Sequence, residues 1–141
     1  MTLYCTIQDL IDRVGEDELI ELTDRSNVGE LDAAVINGAI ADASSLMDGY
    51  IATRYTVPLA VDFPVMLTRL CCNIARFNLY DTHPTENVKQ QFDATMKVLG
   101  QISKGHITLS LNSGNEKPAQ GDAVQMQTNP AVFSRKQDGF L

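Results

Sequence analysis

The sequence predicts a mainly α-helical fold: a small bundle of two short and three longer helices, then one C-terminal β-strand and an extended C-terminal arm. Apolar residues recur at three- and four-residue steps in three long stretches between residues 32 and 104, which is the period of an amphipathic helix. Proline-containing segments separate these stretches, and the composition becomes polar after residue 111. We therefore expect one helical domain, residues 1–111, and a flexible arm, residues 112–141.

Two short helices are expected at the start of the domain. Thr6 can accept a hydrogen bond from an amide of the first turn, so it is expected to cap a helix that Gly15 ends. The acids at positions 16–18 favour the start of a second helix, because the helix dipole stabilises negative charge there. Residues 26–29 have the composition of a turn and are expected to follow it.

The first long helix is predicted from about Asp32 to about Thr53. Its apolar side chains form one continuous stripe, as expected for a helix with one face in the core. The stripe consists of Ile36, Ile40, Ala43, Met47, Tyr50 and Ile51.

Two prolines precede the second long helix. Pro58 and Pro64 cannot continue a helix, whereas Pro64 suits the first helical position, with Asp62 as a candidate cap. His83-Pro84 is expected to end this helix. Its buried stripe is predicted to contain Leu67, Leu70, Cys71, Ile74 and Phe77.

The third long helix and a short strand complete the predicted domain. Thr85 is a candidate cap for the helix, and Lys104-Gly105 is typical of its end. Residues 106–111 then alternate apolar and polar, which predicts a strand. A lone strand is not stable by itself, so it must pair within the domain or with another subunit. The candidate residues for pairing between subunits are Ile107, Thr108 and Leu109.

The arm ends in a segment that differs from the rest of it. Residues 112–130 are rich in Asn, Gln, Gly, Ser and Pro, whereas aromatic and basic residues concentrate near position 141. We interpret this end as a docking segment for a partner; the alternative is that it folds back onto its own core. The candidate docking residues are Phe133, Ser134, Arg135, Gly139 and Phe140.

The charge distribution disfavours nucleic-acid binding. The net charge is −7 and tryptophan is absent, whereas a protein that neutralises phosphates needs a basic surface. Residues 1–62 carry 12 acids and 3 bases, a net of −9, and residues 63–141 carry 6 acids and 8 bases, a net of +2. Such an asymmetry could join subunits head to tail, although a solvated acidic face is the more usual explanation of such a charge run.

No catalytic or metal-binding motif stands out. Cys71 and Cys72 are adjacent on a helix and should point to different sides, so they do not form a tetrahedral zinc site. Phosphate-loop, nucleophile-elbow and calcium-loop patterns are absent from the sequence. We therefore expect no enzyme activity, no metal and no cofactor.

The sequence also favours a protein that stays in the reducing cytoplasm. It has no apolar run of membrane-spanning length, and residues 1–5 lack the features of a signal peptide. Three cysteines, two of them adjacent, do not suggest a disulfide framework. We expect no membrane association.

The order of several short segments resembles the small neck protein of Mu-like bacteriophages and prophages. That family is similar in turn to the helical head–tail adaptors that contact the portal ring. The segments that carry the resemblance are residues 48–59, Pro64, Leu67, Cys72, 74–77, 79–80, 102–109, 133–135 and 139–140. No single segment is specific, but the series covers nearly the whole chain.

This resemblance implies a structural protein of the virion neck, made in the host cytoplasm and joined to the head during assembly. The implied partners are further copies of the chain in a dodecameric ring, the portal protein, and a tail-side neck or tail-terminator protein. The subunit could be a monomer before it meets the portal. In this role Phe133 and Phe140 would fill partner pockets, and Arg135 would pair with a partner acid.

Two other classes of function remain open on the sequence. A small helical protein-binding or regulatory module without a viral role fits the composition equally well, but it leaves the aromatic C-terminal segment unexplained. A cysteine- or metal-dependent enzyme would require bound metal or activity that alkylation of Cys71 or Cys72 removes.

Overall fold

Five α-helices account for the regular structure in the computed structural model, which describes residues 2–59, 62–109 and 111. They confirm the predicted order of two short helices and three longer ones. The helices are α1 (Ile7–Val14), α2 (Glu16–Thr23), α3 (Ala33–Ile51), α4 (Val65–Tyr80) and α5 (Glu86–Ser103).

Side-chain caps fix several helix starts where the sequence predicts them. Thr6 and Asp9 form a reciprocal capping box at the start of α1. Gly15, with φ +104°, ends α1 and begins α2, a backbone conformation that glycine adopts without steric cost. Asp32 caps α3 and Thr85 caps α5 through their side-chain oxygens.

The boundaries of α4 differ from the prediction. Pro64 is the N-cap residue and Val65 is the first helical residue. The prediction placed the cap at Asp62 and Pro64 inside the helix, so the helix begins one residue later than predicted. The helix ends at Tyr80, before His83-Pro84, because Asp81 adopts a positive φ of 60° that a helix cannot contain. The terminating conformation thus precedes the proline that was expected to end the helix.

The core lies between α3, α4 and α5, which pack against one another, while α1 packs on α3 and α4. The short helix α2 packs on α1 and α4. The predicted stripes of α3 and α4 are buried except at Tyr50 and Phe77, which are half-buried. Phe77 stacks on Phe92 of α5, with ring centroids 3.9 Å apart. This contact explains why an aromatic residue lies at the edge of the α4 stripe.

The chain turns back on itself directly after α5. Gly105 has φ +84°, and the amides of His106 and Ile107 both donate to the carbonyl of Gln101. Residues 106–109 and 111 form no strand, and the remaining residue of the predicted strand, Ser110, lies outside the described part. Pairing of Ile107, Thr108 and Leu109 with another subunit stays a prediction.

We expect Gly105→Ala to lower the free energy of unfolding by about 1–2 kcal/mol, because an L-residue is strained at this positive φ. A Cβ at this position would also lie 1.7 Å from Nη1 of Arg54, which would have to move. Urea denaturation would measure the loss. Gly100→Ala in α5 is the matched control, since a Cβ there has no neighbour within 4 Å and should stabilise the helix. Equal effects of the two substitutions would contradict the prediction.

None of the helices in the described part is long and apolar enough to cross a membrane.

Candidate interaction surfaces

A groove lined by arginines lies where α1, α4 and α5 meet. It has a volume of about 610 Å³, and its charged lining consists of Arg13 at the end of α1 together with Arg69 and Arg76 of α4. Arg69 and Arg76 are two helical turns apart, so they share one face of α4. The packing of α1 on α4 adds the third guanidinium. The groove therefore concentrates positive charge on a protein whose net charge is −7.

One of the three arginines is neutralised within the protein. Arg76 binds Glu18 of α2 in a bidentate pair, with N–O distances of 2.8 and 3.0 Å. Tyr80 also donates to Glu18, at 3.0 Å, and Arg76 donates to Gln91 of α5. The hydrogen bonds to Glu18 raise the pKa of Arg76 above its ordinary value. This network joins α2, α4 and α5 at one end of the groove.

The other two guanidiniums have no such partner. Arg13 and Arg69 are exposed, and neither forms an ion pair with another residue in the described part of the chain. The lining of the groove also includes the apolar side chains of Val14, Leu70 and Val98. Arginine next to apolar side chains is a surface that binds a carboxylate and a small apolar side chain together.

The loop between α2 and α3 carries the opposite charge, with Asp24, Glu30 and Asp32 against Arg25. The carboxylate of Asp24 accepts the amides of Val28 and Gly29, at 2.9 and 2.7 Å, and these hydrogen bonds hold the pKa of Asp24 below its ordinary value. Thr23 closes the base of the loop, because its hydroxyl accepts the amide of Asp32. The side chain of Val28, in the middle of the loop, is 67% exposed.

The place where the arm leaves the body is well defined. Leu109 is buried, and its amide donates to the hydroxyl of the equally buried Tyr55, at 2.9 Å. The hydroxyl oxygen of Thr53 lies 3.2 Å from the backbone oxygen and 3.1 Å from the side-chain oxygen of Ser103, at the end of α5. These contacts join the end of α3 to the end of α5 and to Leu109.

The three cysteines are closer together than their sequence positions indicate. Cys5 lies 3.1 Å from Cys71, sulfur to sulfur, and also interacts with Cys72; all three are buried. The prediction that Cys71 lies in the core is confirmed, but Cys72, expected on another side of α4, is buried as well. Hydrogen bonding to Cys71 and Cys72, together with burial, raises the pKa of Cys5 far above that of a free thiol.

The arrangement of these thiols does not resemble a catalytic or metal centre. His83 and His106 are both exposed, beyond the ends of α4 and α5, whereas the three cysteines are buried. No group of three or more His, Cys, Asp or Glu residues within the described ranges is placed to hold a metal ion.

The two groups of predicted partner-binding residues differ in whether the structure describes them. Phe133, Ser134, Arg135, Gly139 and Phe140 lie outside the described residues. The candidate strand residues Ile107, Thr108 and Leu109 are described, and they lie at the base of the arm on irregular backbone. The arginine groove was missed at the sequence level, although the seven-residue spacing of Arg69 and Arg76 indicates a shared helix face.

Comparison with known proteins assigns this five-helix body to a family. Residues 4–128 match the family described as "Bacteriophage Mu, Gp36". The chain belongs to this family. It is 39% identical over 140 residues to "Gene product J" of Escherichia phage Mu. The alignment covers 98% of this chain and 99% of that protein.

A second member of the Gp36 family comes from a bacterial genome. The "Mu-like prophage FluMu protein gp36" of Haemophilus influenzae is 30% identical over 142 residues and covers the whole of both chains. The resemblance to a Mu-like phage protein is thereby confirmed. The matches extend over the helical body and, in these two relatives, over the region of the C-terminal arm as well.

Proposed function

We propose that this Gp36-family protein is a structural subunit of the virion neck, forming a connector ring between the portal and the tail-side proteins. It is made in the host cytoplasm and acts by binding rather than by catalysis. Its partners are other copies of itself, the portal protein, and a tail-side neck or tail-terminator protein.

The observation that carries the proposal is the ordered series of segments that resembles the neck protein of Mu-like phages. Membership of the Gp36 family along residues 4–128 supports it, because the relatives come from a phage and a prophage. A regulatory module without a viral role is less compatible with that membership.

The geometry at the end of α5 is suited to such a role. Tyr55 and Leu109 fix the start of the arm against the body, and thirty residues follow at positions 112–141. A fully extended chain spans about 3.3 Å per residue, so an arm of this length is long enough to reach a neighbouring subunit. Phe133 and Phe140 are the side chains best suited to fill pockets there.

The environment of the thiols supports binding rather than chemistry. A nucleophilic cysteine needs a lowered pKa and a base within hydrogen-bonding reach. The pKa of Cys5 is raised. Hydrogen bonds with Cys5 and Ser44 lower the pKa of Cys71, but neither a thiol nor a hydroxyl is a general base. Alkylation of the native protein is accordingly expected to leave portal binding unchanged.

We expect a chain that ends at Leu111 to lose portal binding, because it lacks the docking segment while keeping all five helices. Purified full-length and shortened proteins would be compared by light scattering and by capture on an immobilised portal ring. The full-length chain should form a ring, alone or on the portal. The shortened chain should remain a monomer with an unchanged helical circular dichroism spectrum.

Point variants separate the docking segment from the length of the arm. Phe133→Ser with Phe140→Ser should reduce capture about as much as the truncation does, whereas Val124→Ser, an apolar loss elsewhere in the arm, should not. Equal capture of full-length and shortened chains would refute the role of the arm. No association of the full-length chain with the portal or the tail-side proteins would refute the neck function itself.

A further inference from the structure

We infer that the arginine groove receives the α2–α3 loop of a second copy of this chain, residues 24–32, so that subunits join head to tail. This inference rests on the proposed function, because it names the two surfaces that join neighbouring subunits of the proposed ring. It concerns contacts within the described body, which add to those of the arm and form when the portal brings full-length subunits together.

Charge is the first argument for this occupant. The loop carries Asp24, Glu30 and Asp32 against one base, Arg25, a net of −2. The groove carries Arg13 and Arg69, which have no ion-pair partner in the described part of the subunit. Opposite charges on two parts of one chain favour association between copies and select the orientation in which they meet.

Apolar contact is the second argument. The groove is concave, and its lining includes the apolar side chains of Val14, Leu70 and Val98 as well as the arginines. The loop exposes 67% of Val28, two residues from the exposed Glu30. The loop therefore offers, in one place, an apolar side chain for the apolar lining and a carboxylate for the guanidiniums.

The conformation of the loop is the third argument. The hydrogen bonds from Val28 and Gly29 to Asp24, and from Asp32 to Thr23, hold it in one shape. A loop that is already ordered loses little conformational freedom when it binds. An exposed valine held on an ordered loop is thus a suitable contact residue.

The two surfaces lie apart on the subunit, as a head-to-tail contact requires. Glu18 touches the groove through Arg76, and α2 then leads away, with Asp24 six residues further on, or about 9 Å along a helix. No residue of the loop lines the groove of its own chain. Because loop and groove are different surfaces, the contact is heterologous and can repeat from copy to copy until a ring closes.

Disulfide trapping tests the inference directly on the full-length chain, with purified portal protein present as a template. Val28→Cys places a thiol on the loop, and Ala94→Cys places one at the exposed α5 edge of the groove. A chain with both substitutions should give a ladder of covalent multimers under mild oxidation. An equal mixture of the two single variants should stop at dimers, since each copy then has one partner.

Matched variants control for chance collisions and for the native thiols. Val65, 71% exposed at the start of α4, is the control for Val28, so V65C/A94C should give no ladder. The parent chain should give none either, because its three cysteines are buried. Arg69→Glu in the V28C/A94C chain should lower the multimer yield roughly fivefold, and adding Glu30→Arg should restore it.

The outcomes separate this inference from the neck function. A chain that joins the portal as a ring but gives no V28C/A94C ladder overturns the inference and leaves the function standing. A ladder without portal binding supports the contact and refutes the function. Faster linkage of A94C to Phe133→Cys than to V28C would assign the groove to the arm and overturn the inference.

Discussion

Tyr55→Ala is expected to lower the free energy of unfolding by about 3–5 kcal/mol, the usual cost of removing a large buried aromatic side chain. Tyr55 is fully buried, and its hydroxyl accepts the amide of Leu109. Tyr55→Phe keeps the ring and should cost about 1–3 kcal/mol, because the buried amide of Leu109 then has no acceptor. Urea denaturation would give both values.

Hydrogen exchange identifies where the Tyr55→Phe loss arises. The amide of Leu109 should exchange faster in this variant because it has lost its acceptor. Exchange rates of amides in the middle of α3 and α4 should change only as much as the free energy of global unfolding changes. Tyr50→Phe is the control, since the hydroxyl of Tyr50 bonds no described side chain and its loss should change stability little. An unchanged Leu109 amide in Tyr55→Phe would contradict the assigned hydrogen bond.

Alkaline pH is expected to destabilise the fold through Tyr4. Burial is the main cause that raises the pKa of Tyr4 above the ordinary 10.0, and the hydrogen bond that it donates to the carboxylate of Asp48 adds to the effect. The folded state therefore keeps this proton after the unfolded chain has lost it. The contribution is fully present below pH 10 and falls as pH rises above it, by about 1.4 kcal/mol per pH unit.

Tyr4→Phe should remove this pH dependence because the variant has no phenol to titrate at position 4. Urea unfolding between pH 8 and pH 11 would compare the two proteins. The pKa of Tyr80 is also raised, by burial and by its hydrogen bond to Glu18. Tyr80 therefore makes the free energy of unfolding depend on pH in both proteins. The difference between the curves above pH 10 reports Tyr4 alone, and parallel curves would show that its proton does not stabilise the fold.

Much of the helical body follows from local sequence. Thr6, Asp32 and Thr85 are caps whose partners lie two or three residues away, and Gly15 ends a helix through its own backbone conformation. Such features depend on near neighbours, so a sequence shows them directly. The end of α4 was misplaced because the positive φ of Asp81 has no comparable mark in the sequence.

The interaction surfaces depend on contacts that are distant in sequence. Arg13 and Arg69 face one groove only because α1 packs on α4, and Cys5 meets Cys71 across 66 positions. Neither contact has a spacing rule that would predict it. The charge asymmetry between the two halves of the chain is visible in the sequence. The surfaces that carry these charges become apparent only when the packing of the helices is known.

The N-terminal residues also bear on how the protein forms during synthesis. Thr2 donates to Leu59, the amide of Tyr4 donates to Ser44, and Cys5 lies against Cys71. Each of these partners is translated at least forty residues later. Residues 2–5 therefore leave the ribosome well before their binding positions exist, and Cys5 reaches its native place only after the first half of α4 has been made. Attachment of this segment to the helical body thus waits for the synthesis of more than half of the five-helix domain.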